Sequence, residues 1–96
     1  GSDVEKVTDL LLTAAKKSAK VLDLPPPRVR FLDFGDSTLV FSLRVWIKGW
    51  SDRYADSEVR YHIDRIFREN NIEISFPQLD LHVRSAEGLD SSHRTP

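Results

Sequence analysis

Five side chains are of types that could do chemistry: His62, Asp80 and His82, with the serines at 37 and 75. Asp80 and His82 stand two residues apart in an alternating stretch, so they share one strand face and could supply two metal ligands. No third ligand is recognisable, and a solvated strand face accounts for the pair. His62 lies among Glu58, Asp64, Arg65 and Arg68 at three-and-four spacing, the pattern of a charged outer helix face rather than of an acid–base catalyst. Ser37 and Ser75 lack the strand–turn–helix surroundings of an activated nucleophile. Gly35 stands alone before Asp36, whereas a phosphate cradle needs several backbone N–H groups converging from a glycine-rich loop. The sequence has no Cys, which excludes disulfides, thiolate catalysis and zinc–thiolate sites together. The residues point to a non-enzyme with no catalytic residue, no metal site and no cofactor.

A second constellation interleaves basic and aromatic residues: Arg28, Arg30 and Arg44 with Phe31, Phe34 and Trp46. Folds that recognise RNA stack bases on a sheet in this way. However, Leu43-Arg44-Val45-Trp46-Ile47 lacks the glycines and most of the aromatics of that strand motif. The formal net charge of −1 also gives a polyanion no bulk attraction, so any such contact needs a local patch. Trp46 faces away from the apolar stripe of its strand and is expected to cover a neighbouring subunit or domain. Trp50, beside Gly49, does likewise or closes its loop.

Periodicity predicts the elements that position these residues. Val4, Val7, Leu11, Ala14, Ala15 and Ser18-Ala19 stripe one face of a helix over 3–22, with Ser2 and Glu5 as a capping box and Pro25-Pro26-Pro27 stopping the chain beyond it. A strand over 28–34 and an alternating strand over 38–48 fold back on each other through Gly35-Asp36-Ser37. Val59, Ile63, Ile66 and Phe67 mark a second helix from about 52 to 70, with Asn71 at the left-handed position after it. Ile72 to Phe76 reads as a brief extended piece broken by Pro77, followed by a last strand over 79–84. From 85 to 96 only Ala86 and Leu89 are apolar, so a flexible polar tail is expected.

A chain of 96 residues holds one core, and no stretch approaches the roughly 20 apolar residues of a membrane span. The first residue is not Met, and Gly1-Ser2 reads as a tag scar or a native turn, so an excised piece is expected. The order α-β-β-α-β implies an α+β fold, with two helices on a small, mainly antiparallel sheet. It is a ferredoxin-like α/β sandwich lacking its first strand. In that topology the absent strand would separate the last strand from the second hairpin strand, so residues 79–84 are expected to lose their usual neighbours. Open edges should then favour dimers, strand exchange or a rearranged sheet. Val29, Phe31, Leu39, Phe41, Leu43, Val45, Val59, Ile63, Phe67 and Leu81 are expected to form the core.

Four ordered blocks carry a resemblance: Phe31-Leu32-Asp33-Phe34-Gly35-Asp36-Ser37-Thr38-Leu39, Leu43-Arg44-Val45-Trp46, Phe67-Arg68-Glu69-Asn70-Asn71-Ile72-Glu73-Ile74 and Phe76-Pro77-Gln78-Leu79-Asp80-Leu81-His82-Val83. With the opening Gly1-to-Val7 segment, they make residues 1–84 resemble the carboxyl-terminal cytoplasmic α/β domain of small-conductance mechanosensitive ion channels. The resemblance implies a tension-gated bacterial channel that releases solutes on hypoosmotic shock. This domain would form part of the cytoplasmic vestibule below the pore, on the inner side of the cell membrane. It also implies a homo-oligomer, usually a heptamer, joined to an upstream membrane domain. Gly35, Asp36, Ser37 and Pro77 are then structural turn residues, and Arg44, Trp46, Trp50, Gln78 and Asp80 are expected near subunit contacts. Asn71 stands where the family often has Gly, and residues 85–96 do not obviously supply the extra strand with which some relatives close the vestibule base. Two other readings stay open: a free-standing ferredoxin-like regulatory module that binds a small ligand, and a single-strand RNA binder.

Overall fold

The computed structural model describes residues 3–33, 39–49, 54–84 and 90–93. Its elements are α1 (Val4–Lys17), β1 (Arg28–Asp33), β2 (Val40–Ile47), α2 (Ala55–Glu69), β3 (Gln78–Arg84) and β4 (Asp90–His93). The α+β class and the order α-β-β-α-β through residue 84 are as the sequence predicts.

Helix α1 starts at Asp3 rather than through a box built on Ser2, which lies outside the described residues. The Asp3 carboxylate accepts from the Glu5 and Lys6 amides at 2.9 and 3.3 Å, satisfying two donors that a helix start leaves free. The helix stops at Lys17, short of the expected 22, well before the prolines. Ser18 turns extended, and its hydroxyl accepts from the Lys20 amide at 3.3 Å. Val21 then bridges to Ile47, and the Leu22 amide donates to the Trp46 carbonyl at 2.7 Å. Backbone pairing with β2 thus competes with helix continuation and wins, an outcome that local propensity does not encode.

Helix α2 begins at Ala55, without a side-chain cap, and its far end is closed by backbone bonds. Asn71 has φ of 55°, as the sequence predicts. The Asn71 and Ile72 amides donate back to Arg68 and Phe67 carbonyls at 3.3 and 2.9 Å, which is the Schellman arrangement. Replacing Asn71 by Val should cost about 1–2 kcal/mol, because a β-branched side chain clashes in this conformation. Asn71→Gly should not destabilise the chain, and paired urea melts of the two variants test the position.

The sheet order is β1-β2-β3-β4. β1 and β2 are antiparallel, as expected of a hairpin, with a bulge between Phe31 and Asp33. The turn residues Gly35, Asp36 and Ser37 lie outside the described residues. Residues 72–76 form no strand, and Pro77 is buried immediately before β3. β3 runs parallel to β2, from Ser42 opposite Gln78 to Ile47 opposite Val83. With the first strand absent, β3 takes β2 as a direct neighbour, a rearranged sheet of the kind the sequence predicts. Leu79, Leu81 and Val83 stand opposite Leu43, Val45 and Ile47, so direct pairing keeps two apolar rows on one face. The other edge of β3 pairs antiparallel with Asp90–His93, where a polar tail was expected. Backbone ladder bonds need no apolar side chains, so composition gives no sign of β4.

Both helices cover one face of the sheet. Val7, Leu11, Ala14 and Ala15 of α1 and Val59, Ile63, Ile66 and Phe67 of α2 bury in one cluster with Phe41, Leu43, Val45 and Leu79. Val29, Phe31, Leu39 and Leu81 pack against that cluster half-buried, so all ten expected core residues contribute. Ala55, Ile47 and Val83 form a smaller cluster at the α2 start.

Candidate functional site

Alternation that aims Phe41, Leu43, Val45 and Ile47 at the helices aims Ser42, Arg44 and Trp46 at the opposite, outer face. The parallel register brings Gln78 beside Ser42, Asp80 beside Arg44 and His82 beside Trp46 on that face. The antiparallel register adds Arg28 beside Arg44 and Arg30 beside Ser42. Four residues expected near subunit contacts, Arg44, Trp46, Gln78 and Asp80, therefore share one surface drawn from two strands. Trp50 lies outside the described residues.

Each member has a definite environment. Asp80 accepts from the Ser42 hydroxyl at 3.2 Å, a diagonal cross-strand bond that fixes both side chains. Trp46 is 8% exposed, and its ring centroid lies 4.6 Å from that of His82 at an interplanar angle of 35°. It is thus largely covered within the chain, where an exposed aromatic was expected. The Arg84 guanidinium donates to the Leu24 carbonyl at 3.3 Å, tying β3 to the proline-containing connection. Gln78 is exposed and Arg44 half-buried, so both can meet something outside the chain. Asp80 and His82 do share a face, but Asp80 is bonded to Ser42 and His82 stacks on Trp46. Among the described residues, no group of three His, Cys, Asp or Glu is placed to hold a metal.

The helix side holds a polar junction that the sequence reading missed. The Glu58 carboxylate accepts from the buried Ser18 hydroxyl at 2.8 Å and stands 3.9 Å from both Lys20 Nζ and His62 Nε2. It joins the end of α1 to the start of α2. Ser18 continues the apolar stripe of α1 in the sequence, a spacing that signals a buried hydroxyl in need of a partner. His62 stands beside Glu58 on its own helix, and the Arg68–Asp64 pair at 3.0 Å is the i,i+4 contact of an outer helix face. On α2, Arg60 lies 5.8 Å from the Phe76 ring centroid, beside the exposed Tyr61.

No described helix is long and apolar enough to cross a membrane. The family profile described as "Mechanosensitive ion channel MscS, C-terminal" matches residues 1–74. The chain is 42% identical over 89 residues to the mechanosensitive channel MscK of Escherichia coli, covering 92% of this chain and 8% of that protein. It is 40% identical over 86 residues to an MscS family protein of Haemophilus influenzae, covering 88% of this chain and 8% of that one. A small-conductance mechanosensitive channel of Helicobacter pylori is 31% identical over 88 residues, covering 91% of this chain and 32% of its own length. The chain therefore spans a small part of relatives far longer than itself. With the profile covering most of its residues, the chain belongs to the MscS mechanosensitive ion channel family, of which it is the C-terminal domain.

Proposed function

We propose that this domain stands on the cytoplasmic side of the cell membrane as part of the vestibule below a tension-gated pore. There it joins copies of itself and acts as scaffold rather than catalyst. The parent is a homo-oligomer, a heptamer by family resemblance, that releases solutes on hypoosmotic shock, and its membrane domain lies upstream. Nucleic acid is not a partner.

The observation that carries this reading is the asymmetry of the sheet, on top of the family match. The helices bury one face, while Arg44, Gln78 and Asp80 gather on the other with no described helix over them. A second layer supplied by a neighbouring copy would be polar and hydrogen-bonded, matching the rim of a protein interface more closely than its apolar centre. Pro77, buried immediately before β3, serves this role at a strand end, with no chemistry assigned to it.

Expression of the full-length parent in a bacterial strain lacking its own tension-gated channels tests the function. Survival of a sudden osmotic downshift is expected to rise, and membrane patches should show current under suction. A parent that reaches the membrane yet gives neither survival nor current would overturn the reading.

A further inference from the structure

Arg28 and Arg44 are register partners on antiparallel strands, and Arg30 lies one row along, beside Ser42. Directly opposed like charges on one sheet face are unfavourable, because their Cβ atoms come within about 4.5–5.5 Å. Asp80, the carboxylate in register with Arg44, stands on the far side of β2 and is hydrogen-bonded to Ser42. Beside these arginines lies a cavity of about 340 Å³, lined by Arg28, Arg30, Arg44, Ser42, Leu12 and Pro27 among others, with no carboxylate among its described lining residues. A chain of net charge −1 thus concentrates three guanidinium groups at one concave place.

We infer that this cavity binds a small organic phosphate, with Arg28, Arg30 and Arg44 on the phosphate and Leu12 and Pro27 against its apolar body. Guanidinium forks match phosphate oxygens in pairs, and a dianion offsets the opposed arginines better than a single carboxylate does. The volume falls in the range of small-molecule sites, roughly 300–1,000 Å³, and exceeds what a bare ion fills. The apolar wall supplies the remaining contact. The site shares Arg44 with the face proposed for subunit contacts, so the test varies Arg28 and Arg30, which lie outside the residues assigned to those contacts.

Phenyl phosphate is the probe for a free ester, and phosphatidylglycerol vesicles are the probe for a lipid headgroup of the same chemistry. Titration of the isotope-labelled chain with phenyl phosphate should give saturable amide shifts at Arg28, Arg30 and Ser42–Arg44. The double variant R28Q/R30Q should weaken binding by about tenfold or more. Its thermal midpoint without ligand should stay level or rise, since a like-charge pair has been removed, which separates lost binding from lost folding. Vesicle binding that depends on the same two arginines supports the site and assigns the phosphate to a lipid. Shifts that never saturate, equal affinity in the variant, or inorganic phosphate binding as tightly as phenyl phosphate would overturn the inference. So would single-stranded RNA displacing the probe at lower concentration.

Discussion

Phe41→Ala is expected to remove about 3–5 kcal/mol of folding stability, the usual cost of deleting a fully buried aromatic ring. Phe41 is 1% exposed, lies near the start of β2, and its ring lies 5.3 Å from that of its register partner Phe31. Few neighbours can collapse into the space. β1 and β3 flank the strand, and residues of both helices fill the same cluster. Against a total stability of about 5–15 kcal/mol, such a loss leaves the domain marginal. The thermal midpoint should fall on the order of 20 °C. Phe31→Ala, at a half-buried edge position, should cost roughly half as much. Urea denaturation of the three chains measures both values. A Phe41→Ala loss below about 1 kcal/mol would mean that the core is not centred on β2.

Trp46→Ala is expected to cost about 3 kcal/mol in the isolated domain, although the residue lies on the face away from the helices. Its low exposure and its ring contact with His82 place most of its surface inside the chain. His82→Ala should lose at least the ring contact, about 0.5–1.5 kcal/mol. The result also governs how assembly can be tested. An oligomer that fails with Trp46→Ala will have lost a folded domain, not only a contact. The exposed Gln78 is the informative position instead, because charge placed there alters the surface with little effect on the core, whereas Asp80 partners the buried Ser42 hydroxyl. An isolated Trp46→Ala domain as stable as the parent would reverse this and make the indole a free contact surface.

The sequence shows most of the fold because its apolar residues keep strict periods. The segment from Leu39 through β2 to Ile47 alternates, and α2 repeats Val59, Ile63, Ile66 and Phe67 at helical spacing, so each buried face can be read before any packing is known. Asn71 is legible for a similar reason, since few residues accept a positive φ at low cost. What is hidden depends on long-range backbone bonds. The end of α1 at Lys17 follows from Val21 and Leu22 pairing with β2, and β4 follows from pairing with β3. Neither leaves a trace in side-chain type. The direct parallel pairing of β2 with β3 belongs to the same class, since both strands offer apolar alternation to any partner.

The outer face was partly legible. Arg44, Trp46, Gln78 and Asp80 fall on one face by alternation alone, but only the register shows that Asp80 stands beside Arg44 and His82 beside Trp46. The cover over Trp46 was missed because position on a face does not give exposure. In the sequence Arg28 and Arg30 belong to a basic and aromatic mixture, and the pairing of Arg28 with Arg44 gives them a different meaning. By spacing, Glu58 falls among the charged outer residues of α2, whereas its partners Ser18 and Lys20 lie far away in sequence.

The central claim, that this domain joins copies of itself through the outer sheet face beneath a channel, is tested most directly by counting subunits. Native mass spectrometry of the detergent-solubilised full-length parent should show a ring of uniform size, seven copies by family resemblance, and the variant Q78R should shift it to smaller species while the isolated variant domain still melts cooperatively. A parent that stays monomeric, or a ring whose size and yield are untouched by Q78R, would contradict the account.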